Sequence, residues 1–428
     1  MYFFFTFLSL ILPSFYTSKK PSTDALTLTY DEENEFYTFP IKIGSKNQVF
    51  NVQIDTTTSE TWVPSQKTSF NVEKFNISKS KTGTTTNKTF DVEDEDGDVR
   101  GKAVYDSVKV GPYELDKMGF VLVDEYELGF KDYPNGKLGL GFKQEHGIDF
   151  NFIGLLKEKK IINKKIFSLI PKNKELIIGE MPLEYSGQLY TTCNQSETND
   201  LDDEYRAGWA CDLTHIFFGV DTKNKDLDSK MEVDARVMFD SAYPYISIPK
   251  RHFNAFRKQF IEPLFNDSCV KVKENDARFF VCDDEELVKQ ASMAFVIEGY
   301  AYIIPWDQLF VKNDEGKYES LIRFYKENDN IFGFGAPFFN EYALVFDMEE
   351  GQIGFYGGER IDLKKEWDEY MNDMTPLQQK ERTKKLIIAG CLGLLLLVFI
   401  ILLCIRARKE AERSRGPVFR DSNPNAIY

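Results

Sequence analysis

From Phe36 to Phe355 the chain is dominated by short runs in which apolar and polar residues alternate, broken by Gly, Asn, Asp and Pro. Phe39-Pro-Ile-Lys-Ile-Gly44, Phe50-Asn-Val-Gln-Ile-Asp55, Val345-Phe-Asp347 and Ile353-Gly-Phe355 follow the period of two that sends successive side chains to opposite faces of a strand. Helical spacing is confined to residues 150–159, 250–260 and 305–310. The pattern predicts a mainly β body with a few short helices.

Two tracts do not alternate at all. Phe3 to Phe15 is apolar and aromatic, with no charge before Lys19, and its length fits the core of a signal peptide better than a membrane span. Leu386 to Ile405 runs for 20 residues without a charge, enough for one helical crossing. These tracts divide the chain into a signal peptide over 1–18, a short pro-like or linker segment over 19–33, a β body over 34–358, a charged stalk over 359–385, a transmembrane helix over 386–405 and a cytosolic tail over 406–428.

Charge sharpens that topology. The chain carries 53 Lys and Arg against 68 Asp and Glu, a formal net charge of −15. The tail has six basic residues (Arg406, Arg408, Lys409, Arg413, Arg415, Arg420) against Glu410, Glu412 and Asp421, so it stands at +3 and residues 1–385 at −18. An acidic body of this kind excludes nucleic acid as a partner. A basic tail after the span, with a signal sequence before the body, predicts a single-pass type I protein with a lumenal or extracellular ectodomain.

Four cysteines precede the span, and four allow three pairings; sequence proximity suggests Cys193–Cys211 and Cys269–Cys282 in an oxidising compartment. Asn76, Asn87, Asn194 and Asn266 each head an Asn-x-Ser/Thr sequon, all on the side assigned to the lumen.

One constellation occurs twice. An apolar strand ends in Asp55-Thr56, and some 80 residues later comes Leu138-Gly139-Leu140-Gly141. In the second half Phe239-Asp240-Ser241 is followed by Ile331-Phe332-Gly333-Phe334-Gly335. The chain thus repeats a structural unit, though not its residue identities.

These residues resemble the pepsin-like aspartic proteases. Asp55-Thr-Thr-Thr-Ser-Glu-Thr-Trp62-Val-Pro-Ser65 is similar to the family's Asp-Thr-Gly-Ser-Ser-x-x-Trp-Val-Pro-Ser segment. Phe36 to Gly44 resembles the opening strand, Asp106-Ser-Val-Lys-Val-Gly111 the stretch after the flap, and Gly335 to Asp347 the closing strand. The resemblance spans roughly residues 34–358. It implies a bilobal β fold, an N-lobe over about 34–183 and a C-lobe over about 184–358, with a cleft between them for an extended peptide. It also implies that Cys269 and Cys282 form a C-lobe disulfide.

The family's chemistry uses two facing carboxylates that share one proton: the ionised one activates water and the protonated one donates to the scissile carbonyl. The resemblance places this dyad at Asp55 and Asp240, 185 residues apart. It gives Thr56 and Ser241 the supporting role of tying the two loops together by hydroxyl hydrogen bonds.

Three positions depart from the family. Thr57 and Ala242 stand where it has Gly, and Thr57, β-branched and stiff, is expected to crowd the water or substrate, or to turn the Asp55 carboxylate. Asp94, within the six-acid run Asp91 to Asp98, falls where the family has its flap tyrosine. That run fails the EF-hand pattern, because Val92 and Ala103 would fall at ligand positions one and twelve. His146, His215 and His252 lie far apart without ligand spacing, so no metal and no cofactor are expected. Trp62, Trp209 and Trp306 are expected in the core.

The expected function is that of a membrane-anchored, non-catalytic homologue, a monomeric ectodomain holding a peptide or protein ligand in the cleft. The alternative is an active endopeptidase cleaving extended peptides in the secretory pathway or at the cell surface.

Overall fold

A computed structural model describes residues 25–31, 36–69, 71–94, 97–128, 135–143, 147–182, 190–196, 207–220, 230–274, 277–325 and 330–364. The chain divides into two compact units, Met1–Ile361 and Asp362–Tyr428. Of the second unit only residues 362–364 are described, so the stalk, the apolar tract at 386–405 and the tail lie outside the described residues, as does the tract at 3–15. Among the described residues no helix is long and apolar enough to cross a membrane.

The first unit is built of strands, and the alternating runs of the sequence become strands where expected: Phe36–Ile43, Gln48–Asp55, Ala343–Asp347 and Gln352–Tyr356. Strand Phe36–Ile43 shows why, since Tyr37, Phe39, Ile41 and Ile43 turn into the core while Lys42 and its like-facing neighbours look outward. The expected helical stretches appear as Phe152–Glu158, a run of short helical turns from Lys250 to Phe265, and Trp306–Leu309.

Among the described residues the strands form three sheets. An eight-stranded sheet gathers the first half and a twelve-stranded sheet the second. The third, six-stranded, takes strands from both halves: Ile166–Ile170 pairs with Ala343–Asp347, placing Phe167 opposite Phe346. Its outer strand is Leu26–Thr27, upstream of the segment that the alternating pattern marked. One apolar cluster runs through residues of both halves, including Ile54, Leu138, Phe167, Trp209, Phe239 and Phe346. Trp62 and Trp209 are buried as expected, and Trp306 packs half-buried against this cluster.

The internal repeat is visible in the pairing. Strand Gln48–Asp55 runs parallel to Lys137–Gly139, which in turn lies antiparallel to Trp62–Pro64. In the second half Lys230–Phe239 runs parallel to Ile331–Phe334, which lies antiparallel to Ile246–Pro249. Asp55 therefore ends, and Asp240 directly follows, a strand whose parallel neighbour arrives from a distant part of the chain and carries the apolar-Gly motif. Glycine is required there by close approach: a Cβ on Gly139 would sit 2.6 Å from the Glu60 carbonyl oxygen, and one on Gly335 would collide with the carbonyls of Tyr243 and Tyr245.

Both cysteine pairs chosen by proximity are bonded. Cys193–Cys211 spans a Cα–Cα distance of 6.1 Å, and Cys269–Cys282 one of 4.0 Å across directly paired strands.

Candidate active site

Asp55 is the last residue of its strand and is fully enclosed, while Asp240 follows the end of the equivalent strand and is 5% exposed. Hydrogen bonds cross from one Asp-bearing turn to the other. Thr56 Oγ1 donates to the Phe239 carbonyl at 2.6 Å and accepts from Ser241 N at 3.1 Å. Ser241 Oγ donates to the Ile54 carbonyl at 2.6 Å. Gln53 Nε2 reaches the Ala242 carbonyl at 3.4 Å. The hydroxyls of Thr56 and Ser241 thus bring the two turns together, each satisfying a carbonyl that the opposite strand end leaves open. Trp209 links Phe239 to Leu140, the residue just past strand Lys137–Gly139: its indole N–H donates to the Leu140 carbonyl at 2.9 Å and its own carbonyl accepts from Phe239 N at 2.9 Å.

The Asp55 carboxylate is heavily engaged. Oδ1 accepts from Thr57 N at 2.7 Å, from the Thr57 hydroxyl at 2.7 Å and from Thr58 N at 3.2 Å. Oδ2 lies 3.0 Å from the ammonium of Lys137, whose side chain is itself only 3% exposed. Burial alone would push this carboxyl up, but the Lys137 charge and the Thr57 donors together outweigh it and hold Asp55 below the usual carboxylate range. At Asp240 the backbone N–H of Ala242 donates to Oδ1 at 2.8 Å.

Thr57 and Ala242 occupy their positions without a left-handed backbone, since neither has a positive φ. The methyl of Ala242 is buried, and the Thr57 hydroxyl turns onto the Asp55 carboxylate. Of the acidic run, residues 91–94 close the strand Thr84–Asp94 and residues 97–98 open its partner Gly97–Val110, placing Asp94 opposite Gly97; the side chains of residues 92–98 lie outside the described set. Asp91 forms an exposed ion pair with Arg100 at 3.0 Å.

Lys137 was not singled out by the sequence. It stands immediately before Leu138-Gly139, the only charged residue in an otherwise apolar strand, and that local anomaly was the available signal. The parallel register Gln53↔Lys137, Asp55↔Gly139 brings it beneath the carboxylate. In the second half the register Met238↔Gly333, Phe239↔Phe334 puts Gly333 at the equivalent place. One half of the repeat therefore carries a cation where the other carries no side chain.

The histidines stay apart from this site. His215 is partly exposed, 3.9 Å from Glu232, and His252 bonds to Asn330 at 3.0 Å; burial holds both below the ordinary imidazole value. His146 lies outside the described residues. Asn87, Asn194 and Asn266 are exposed, whereas Asn76 is half-buried and its side chain accepts from both the N–H and the hydroxyl of Ser78.

Residues 36–356 match the family model of the eukaryotic aspartyl protease. This chain belongs to that family. Its aspartyl protease domain is similar to an acid protease of Saccharomycopsis fibuligera, 22% identical over 80% of this chain and 86% of the relative. It is similar to pepsin A of Gallus gallus, 25% identical over 73% of this chain and 82% of the relative. Pregnancy-associated glycoprotein 1 of Bos taurus matches at 23% identity over 73% of this chain and 79% of the relative. The two Asp-bearing strands and the crossing hydroxyl bonds are the parts of the domain through which the resemblance seen in the sequence runs.

Proposed function

We propose that this chain is a single-pass type I membrane protein whose aspartyl protease domain, on the lumenal or extracellular side, binds an extended peptide or a protein partner without cleaving it. The membrane would be that of the secretory pathway, the cell surface or the endolysosomal system. The observation that carries the reading is the state of Asp55. Hydrolysis by a carboxylate pair needs one group that holds a proton and one that is basic enough to take a proton from water. Asp55 serves poorly in either role. The Lys137 ammonium at 3.0 Å favours its ionised form, so it has no proton to donate. As a base it is weakened, because Oδ1 already accepts three donors and Oδ2 faces a fixed cation.

A second reading, an active endopeptidase, draws support from the intact bonds among Thr56, Phe239, Ser241 and Ile54. The two readings separate in one assay. Full-length chain purified in detergent is incubated with a mixed peptide pool at pH 3–6, and products are followed by mass spectrometry beside a binding measurement with a statine-type transition-state mimic. Binding without turnover is the expected outcome. Cleavage that disappears in the Asp55→Asn variant would establish the endopeptidase instead.

A further inference from the structure

We propose that Lys137 is a counter-ion built into the fold that switches the aspartate pair off, and that an uncharged side chain at this one position converts the site into a working peptidase. The inference rests on the non-cleaving reading above and deepens it by naming the residue responsible. Three observations lead to it. The frame that holds the two aspartates is complete: Thr56 and Ser241 make their crossing bonds, and Ala242 N donates to Asp240. Nothing in the backbone at Thr57 or Ala242 is left-handed, so the departures there are accommodated without strain. On the parallel strand beside each aspartate, the first half carries a charge where its repeat carries no side chain, Lys137 against Gly333.

The position is shut away from solvent. Lys137 lies in register with Gln53 and Trp62 and its side chain is 3% exposed, while its neighbours Gly136 and Leu138 face the opposite side of the strand. A lysine in such surroundings keeps its charge because a carboxylate neutralises it, and the carboxylate it uses is the one hydrolysis would need. The pair is enclosed on both sides, with Asp55 fully buried and Lys137 nearly so, so water does not compete for either ion.

With Lys137 replaced, one carboxyl can retain a proton. Water then adds to the peptide carbonyl carbon, giving one proton to the ionised carboxylate while the protonated carboxyl donates to the carbonyl oxygen. Collapse of the adduct breaks the C–N bond, and the leaving nitrogen takes up a proton; the products are an acid and an amine, and water is the only co-reactant.

The test compares full-length wild type with Lys137→Met, Lys137→Gln and Lys137→Arg, each assayed with quenched fluorescent peptides at pH 3–6 and checked for folding by thermal melting. Hydrolysis in the Met and Gln variants should exceed wild type by roughly 100-fold or more, the range of a restored acid–base group. It should vanish when Asp240→Asn is added, and Lys137→Arg should stay silent. Folded Met and Gln variants without hydrolysis overturn the switch while leaving the non-cleaving reading intact. Activity in Lys137→Arg equal to that in Lys137→Met also overturns it. Failure of both neutral variants to fold overturns it too, because Lys137 would then be a pillar of the fold. Wild-type cleavage that rises further in Lys137→Met would refute the non-cleaving reading and uphold Lys137 as the attenuator.

Discussion

Asp55 is a charge that the fold has taken out of water and must therefore satisfy from within. Its partners, Thr57, Thr58 and Lys137, make it part of the structure as much as of any chemistry. Asp55→Asn removes the anion and leaves the buried Lys137 ammonium uncompensated, which should cost about 3–5 kcal/mol of stability. The pH dependence follows from the direction of the Asp55 shift. Its folded value is depressed, so its contribution is fully present above the unfolded value near ~3.9 and is lost as pH falls through the lower folded one. Melting curves of wild type and Asp55→Asn from pH 7 to pH 2 should thus differ most near neutrality and converge only below about pH 4. A difference that grew on acidification would contradict the ion pair. At this scale the sequence exposed Asp55, Asp240, Thr56 and Ser241 through the resemblance of their two motifs to those of the aspartic proteases. It did not expose Lys137, since the contact depends on the register of two strands that meet across a long stretch of chain.

Strands behave here as their residues predict, and the short ones less so. Alternation over eight residues fixed Phe36–Ile43 and Gln48–Asp55, where one buried face sets the register. Leu26–Thr27 offers two residues and no period, and its place in a sheet comes from its partners Leu176 and Glu175. Glycine at a strand end was legible as a motif, but its reason appears only once the turn passing over it is seen. Gly335→Ala would drive a methyl into the carbonyls of Tyr243 and Tyr245, backbone atoms that cannot move aside cheaply. We expect a loss of about 1–3 kcal/mol or more, read as a lowered midpoint in urea. The control is Gly219→Ala, where a positive φ of 61° is the burden and the nearest atom to the added Cβ is 3.9 Å away; it should cost only about 1 kcal/mol.

Across the whole molecule, topology is the claim with most at stake, because it assigns the acidic body and the basic tail to opposite sides of a membrane. The sequons report on it. Asn87, Asn194 and Asn266 present exposed amides, while Asn76 is half-buried with its side-chain oxygen held by Ser78. Glycosidase treatment of the chain made in a secretory host should shift its gel mobility, and peptide mapping should find glycan at the three exposed sites well ahead of Asn76. An unchanged band would refute the lumenal assignment.

The six-stranded sheet adds a constraint of another kind. Strand Ile166–Ile170 finds its neighbour in Ala343–Asp347, so a nascent chain halted before that point holds a strand with one edge unanswered. Pairing across so many residues must wait for loop closure over that distance, which makes folding slow and leaves the waiting edge open to foreign strands. As the chain is synthesised, the first half's share of this sheet cannot be completed when it emerges. Its completion is timed by the arrival of the second half, and chaperone residence should end only after Phe346 has met Phe167.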